Sequence, residues 1–333
     1  MYFAMTTLSE QVLLQKTATI QKKITGQLAG RIIGQRDVIE QLLTALFAGG
    51  HVLLVGVPGL AKTLIVKTLA DALSLQFGRI QFTPDLMPTD ITGTDILDTS
   101  RASGAREFRF IRGPLFCNLL LADELNRTPP KTQAALLQAM QEKSVTAGGS
   151  TYDLPSPFLV FATQNPIEQA GTYPLPEAQL DRFMFQVSVN YPSREEEFEI
   201  VRQTTIGREV PVASLVTPEE ILDLQRMVPT VPCADHIITA AVDVIRQTRP
   251  QESSIPEIRD NISFGAGPRA AQMLILAAKA RTLLHGRFAV DIQDIMALAH
   301  SVLRHRLVLS FEAEARGYSP DSLIDTILAT LLS

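Results

Sequence analysis

The segment Gly56-Val57-Pro58-Gly59-Leu60-Ala61-Lys62-Thr63, with Leu64 after it, joins two glycines, a lysine and a hydroxyl at the junction of an apolar run and a helical one. In that setting the backbone N–H groups of the loop, with the positive end of the following helix, can wrap a chain of phosphates. Lys62 then reaches the β and γ phosphates, and the Thr63 hydroxyl becomes a ligand for magnesium. The expected ligands are therefore ATP and Mg2+. One position departs from the bare pattern: the glycine usual before the lysine is Ala61. An ordinary strand-to-helix turn is the competing reading, and the surrounding residues must decide.

Two acids close the next apolar run, Leu119-Leu120-Leu121-Ala122-Asp123-Glu124. At the C-terminal edge of a parallel sheet both would face the phosphate loop. Asp123 would hold the magnesium shell, and Glu124 would activate the attacking water as a general base. A strand ending in Asp-Glu is by itself most often a turn or a helix cap; beside the loop it reads as chemistry. A third run ends in Thr163-Gln164-Asn165-Pro166. The Asn165 amide could hold the water that a carboxylate alone positions poorly. Asn-Pro is also a common turn, and in isolation the turn reading wins. His51 reads as a structural histidine.

These residues need a scaffold that brings strand ends together. Five short aliphatic runs, 51–56, 80–84, 119–123, 158–164 and 183–189, suit strands buried on both faces. Helical spacing over 62–75 and 130–143 lies between them, so the predicted fold is α/β, a five-stranded parallel sheet between helices. Two hairpins are expected as inserts, one over 95–112 with a Ser103-Gly104 turn and one over 144–154 with Gly148-Gly149 at its tip. After Tyr191-Pro192 strand signals stop. Ile292, Ile295, Met296, Ala299, Val302 and Leu303 follow helical spacing, as do Ala270, Met273, Leu274 and Ala277. The expected domains are 1–191, α/β with an N-terminal helix and both hairpins, and 192–333, all-α.

Composition limits the function classes. At 46% hydrophobic and 20% charged the chain reads as an aliphatic globular protein, and a net charge of −5 disfavours a dedicated nucleic-acid binder. Cys117 and Cys233 form no CxxC pair, which argues for reduced thiols over a disulfide scaffold or zinc site. The first ten residues lack a basic and apolar leader pattern, so the expected compartment is the cytoplasm. Leu42 to Ala61 carries no formal charge and has the length of a membrane span, but Gly49-Gly50 and Pro58-Gly59 break it, so no membrane insertion is expected.

The loop GVPGLAKT, the stretch LLLADELNRTPPKTQAALLQAMQE from Leu119, ATQNP from Ala162, YPLPEAQLDRF from Tyr173 and GPRA from Gly267 together resemble the MoxR family of AAA+ ATPases, from about Ile33 to about Arg306. The resemblance makes Ala61 an accepted occupant of its position. It implies an AAA+ P-loop core followed by a helical lid, with Asn165 as sensor 1, Arg182 as an arginine finger and Arg269 as the sensor 2 arginine of the lid. Without it, Arg182 would read as a surface ion-pair residue and Arg269 as a helix-start arginine after Pro268. Ile33 and Gly34 resemble the segment that lies against adenine. Arg127, just past the acids, is a further candidate for facing a neighbouring subunit. The two hairpins match inserts that line a ring pore in relatives.

The activity so implied is ATP hydrolysis between subunits of a hexameric ring, driving chaperone-like remodelling or maturation of a client protein complex. Metal-cofactor insertion is one form of that work, and a von Willebrand factor A domain protein a frequent partner. A magnesium-chelatase-like ATPase subunit, a nucleotide-binding scaffold with little turnover and a DNA-remodelling ring share parts of the pattern. Glu124, Asn165 and Arg182 speak for turnover, and no basic hairpin favours DNA.

Overall fold

The structure, a computed structural model, describes residues 19–20, 22–99, 106–167, 171–205 and 212–332. In chain order they form α1 (22–29), α2 (Arg36–Phe47), β1 (Val52–Val55), α3 (Lys62–Ala72), β2 (Phe77–Gln81), α4 (Pro88–Thr92), β3 (Gly93–Thr99), β4 (Arg106–Arg112), β5 (Leu119–Asp123) and α5 (Pro130–Glu142). There follow β6 (Ser144–Ala147), β7 (Ser150–Asp153), β8 (Leu159–Gln164), α6 (Glu177–Leu180), β9 (Phe185–Ser188), α7 (Arg194–Thr204), α8 (Pro218–Met227), α9 (Asp235–Gln247) and α10 (Pro256–Asn261). The chain closes with β10 (Ile262–Phe264), α11 (Pro268–Leu284), α12 (Ile292–Leu303), β11 (Val308–Leu309), α13 (Phe311–Ala315) and α14 (Pro320–Leu332).

The parallel five-stranded sheet has the order β2-β5-β8-β1-β9. Its middle strands are the aliphatic runs: Leu119, Leu120, Leu121 and Ala122 of β5 are wholly buried, as are Val160, Phe161 and Ala162 of β8. Four of the five strands fall where the apolar runs place them. The fifth does not: β2 occupies 77–81, three residues earlier than 80–84, because Phe77 pairs with Leu119 and Gln81 with Asp123. Being the edge of the sheet, β2 needs only one buried face, so polar Arg79 and Gln81 belong to it; Thr83 and Pro84 have already entered a turn closed by the Leu86 N–H on the Thr83 carbonyl.

Contacts group the chain into two compact units, and not with a single cut after Tyr191. A sheet unit spans Leu53–Leu175 and Ser188–Pro218; a helical unit spans Met1–Val52, Pro176–Val187 and Glu219–Ser333. The reason is local packing: within the helical unit Met184 donates its N–H to the His51 carbonyl, and Arg306 binds the 181–184 backbone.

In the sheet unit both hairpins are present. β3 pairs antiparallel with β4, and the Ser103-Gly104 turn lies outside the described residues. β6 pairs with β7 across Gly148-Gly149, whose φ values of 56° and 80° give the left-handed pair a two-residue hairpin turn demands. Phe110 of the first hairpin stacks on Tyr152 of the second, with centroids 4.3 Å apart and planes 15° from parallel.

In the helical unit α11 packs against α2, α9 and α12, and buried alanines at 270, 277, 278 and 280 allow the close approach. Asp294, wholly buried, lies in the first turn of α12. It caps the Asp291 N–H and takes Arg281 and Arg287 on its two oxygens. The unit is not all-α: Ile262–Phe264 and Val308–Leu309 form a short antiparallel ribbon, too brief for a periodicity to reveal. Among the described residues no single helix is long and apolar enough to cross a membrane. The two cysteines are free thiols, with Cys117 buried and its thiol pushed up to about 12 by desolvation.

Candidate functional site

At the C-terminal end of β1 the chain makes the loop 56–61 and enters α3 at Lys62. Gly56 allows the loop to lie against the neighbouring backbone, since a Cβ there would be 2.6 Å from the Val189 carbonyl oxygen. Ala61 is the N-cap of α3 with φ 54° and ψ 21°, the left-handed region in which glycine is at home. A non-glycine residue held there costs about 1–2 kcal/mol, a strain typical of functional loops. Lys62 is half-buried, and its Nζ donates back to the Gly56 carbonyl. Burial pushes its ammonium down, while the nearby charges of Asp123 and Glu124 act to hold the proton on. Loop and acids therefore share one electrostatic field.

The acids are held from three sides. Thr163, one residue before the end of β8, donates its hydroxyl to Asp123 Oδ1 at 2.7 Å and accepts the Glu124 N–H at 2.9 Å. Arg79 donates to Asp123 Oδ2 at 2.7 Å. Glu124 sits at φ 57°, left-handed and strained, with its carboxylate turned to Gln81 Nε2 at 2.6 Å and Arg127 Nε at 3.1 Å. Arg127, a candidate for facing a neighbouring subunit, pairs with Glu124 while 38% of its side chain stays exposed.

Asn165 lies just past β8, only 4% exposed, with Oδ1 accepting the Ile167 N–H at 3.3 Å. Its Nδ2 is buried with no hydrogen-bond partner. A buried amide N–H2 with nothing to bond costs about 1–3 kcal/mol, so it is suited to an incoming oxygen acceptor. Oδ1 thus serves the turn, and Nδ2 is the end of the side chain left for a ligand oxygen.

Together these groups fit a nucleotide with a hard divalent cation. Lys62 and the α3 N-terminus suit phosphates. Thr63 and Asp123 offer the hydroxyl and carboxylate oxygens magnesium prefers. Gly56, Val57, Pro58, Gly59, Leu60, Ala61, Lys62, Thr63 and Leu64, with Asp123, Glu124 and Asn165, all belong to the sheet unit. Among the described residues no cluster of three or more His, Cys, Asp or Glu forms a separate metal centre.

The other expected residues belong to the helical unit. Ile33 and Gly34 lie in the α1–α2 connection, where Gly34 and Gln35 are both left-handed, at φ 71° and 57°. Arg182 and Arg269 line one cavity of about 310 Å³ with His51 and Met184. Arg269, in the first turn of α11, is half-exposed and lies 3.3 Å from Asp181. Asp181 is fixed in turn by Arg306, 2.7 Å away and nearly buried, which also bonds the Asp181 and Phe183 carbonyls.

Arg79, Gln81, Thr163 and the Asp181–Arg306 pair were not singled out by sequence. Thr163 lies inside the ATQNP segment, where its place before the strand end was a usable signal. Arg79 and Gln81 depend on the register of β2, and nothing in Arg304-His305-Arg306 marks the last arginine as buried.

Residues 51–185 match the family described as ATPase family associated with various cellular activities (AAA), and residues 257–327 match the AAA lid domain. The chain is 46% identical over 302 residues to Chaperone MoxR1 of Mycobacterium tuberculosis, covering 90% of this chain and 78% of that one. It is 31% identical to Protein MoxR of Paracoccus denitrificans, over 91% of this chain and 93% of that one. A crystal structure from Cytophaga hutchinsonii, of a protein assigned as an ATPase, superposes with a TM-score of 0.90 at 41% identity and covers 98% of each chain.

Proposed function

Because the chain belongs to the MoxR family of AAA+ ATPases, we propose that it hydrolyses ATP, held with Mg2+, at subunit interfaces of a cytoplasmic hexameric ring and uses the turnover to remodel or mature a partner protein complex. The observation that carries the catalytic part is the meeting of Lys62, Asp123, Glu124 and Asn165 in one unit, with Thr163 pinning both acids. Lys62 neutralises phosphate charge, Thr63 and Asp123 hold the metal, Glu124 takes the proton from the attacking water, and Asn165 Nδ2 orients it. The cation supplies Lewis-acid polarisation of the phosphoryl oxygens. Arg182 arrives from a neighbouring subunit to meet charge on the transferred group, and Arg269 senses the γ phosphate. Ile33 and Gly34 contact the adenine.

The remodelling part is supported by a relative named a chaperone and by the two hairpins, which the Phe110–Tyr152 stack joins into one body. Leu97 and Phe108, paired across the first hairpin, are 51% and 78% exposed and offer an apolar contact for an extended client segment. The partner complex in this reading includes a von Willebrand factor A domain protein, and metal insertion is one outcome of its maturation.

The test is Glu124→Gln. The variant should bind ATP as the parent does and turn over at least a hundredfold more slowly, since general-base catalysis contributes about 10²–10⁴. Pull-down with this trap should then enrich the client complex. Parent-like hydrolysis by Glu124→Gln would remove Glu124 as the base.

A further inference from the structure

Arg79 is placed where no step assigned so far needs it. Its Nη2 donates both to Asp123 Oδ2 at 2.7 Å and to Gln81 Oε1 at 2.9 Å. A guanidinium has donors only, so the Gln81 oxygen faces Arg79 and the Gln81 N–H2 faces Glu124, which it reaches at 2.6 Å. Arg127 closes the chain on Glu124 from the other end. Two carboxylates are thus balanced by two guanidiniums, with Lys62 close enough to feel both acids.

A divalent cation held by Asp123 would add two positive charges to a cluster in which Lys62, Arg79 and Arg127 already outnumber the two carboxylates. Charges of one sign this close repel by several kcal/mol even at an effective dielectric of about 20. The half-exposed Arg79, on an edge strand, is the group able to leave for solvent.

We propose that Arg79 is a positioning residue that competes with the divalent cation for Asp123, steadied in that place by Gln81. While Arg79 sits on Asp123, its second bond, to Gln81, holds the guanidinium on the carboxylate. When Asp123 turns to the cation, Arg79 swings out toward solvent. The inference rests on the reading of Asp123 as metal holder.

The experiment titrates Mg2+ into the full-length protein with a fluorescent ATP analogue and reads the Mg2+ concentration at half-maximal binding, a quantity independent of turnover. Arg79→Ala should lower it about five-fold, the size of a part-exposed ion pair. Arg79→Lys, which keeps the charge but not the fork, should lie between alanine and parent. Gln81→Ala, by removing the second anchor of Arg79, should lower it about two-fold in the parent and not at all in the Arg79→Ala background, the non-additivity expected of residues acting in series. An Arg79→Ala half-saturation equal to or above that of the parent would overturn the competition. A Gln81→Ala effect that persists unchanged without Arg79 would overturn the anchoring of Arg79 by Gln81. Should the parent itself bind the analogue without regard to Mg2+, the metal role of Asp123 fails first and the competition with it, which separates that failure from a parent that responds while Arg79→Ala does not shift.

Discussion

Thr163→Val isolates one hydroxyl at the centre of the site. The side chain is 1% exposed, and valine keeps its shape and methyl packing while deleting the oxygen. Two bonds go together: the donor to Asp123 at 2.7 Å and the acceptor for the Glu124 N–H at 2.9 Å. A bond to a charged acceptor contributes about 1.5–3 kcal/mol, and a buried N–H left without an acceptor costs about 1–3 kcal/mol. Asp123 keeps Arg79 and some access to water, which places the first loss at the low end. The sum is about 2.5–4.5 kcal/mol, read as a lower urea midpoint at unchanged slope. Glu124 would also lose the clamp on its left-handed backbone, and displacement of a base by about 1 Å costs about 10²-fold in rate. Thr163→Ser restores the oxygen and should recover most of both losses. A valine variant within about 0.5 kcal/mol of the parent that hydrolyses ATP at the parental rate would refute the idea that Thr163 pins the acids.

Three further outcomes follow from other parts of the molecule. Lys62→Ala should abolish ATP binding, measured by calorimetry, because the phosphate charge loses its half-buried partner; parental affinity would count against the phosphate loop. Burial alone would raise the Asp294 carboxyl, but its bonds from Arg287, the Asp291 N–H and Arg281 outweigh that and hold it below its ordinary 3.8. A carboxyl lowered on folding stabilises above its unfolded value and loses that contribution as pH falls through the folded one. Asp294→Ala should therefore cost about 3–5 kcal/mol at neutral pH, with the gap to the parent narrowing below about pH 4, and a pH-independent gap would contradict the assignment. If Arg182 acts across a subunit interface, ATPase activity per protomer should rise with protein concentration through the assembly range and stay flat for Arg182→Ala. A flat profile in the parent would remove the trans role.

The parts legible in the sequence share one property: their patterns are local. The loop at 56–64, the acids at 123–124 and the amide at 165 each follow a buried aliphatic strand, and strands β1, β5 and β8 fell where aliphatic runs placed them. A run buried on both faces has to be apolar throughout, so its end is easy to find and the polar residue just past it stands out. The Gly148-Gly149 tip was legible for a similar reason, since a two-residue hairpin leaves few choices of backbone.

What the tertiary structure decided was who holds whom. Arg79 and Gln81 join the site only because β2 pairs Gln81 with Asp123, a register that three ambiguous residues, Phe77 to Arg79, could not announce. Asp181 found its buried partner more than a hundred residues away in Arg306. Residue types and strand ends determined that a glycine loop, two acids and an amide would stand at the ends of β1, β5 and β8. Pairings between groups distant in sequence depend on register and packing, which no local pattern encodes, and those pairings hold the Asp123 carboxylate and the Glu124 amide in place.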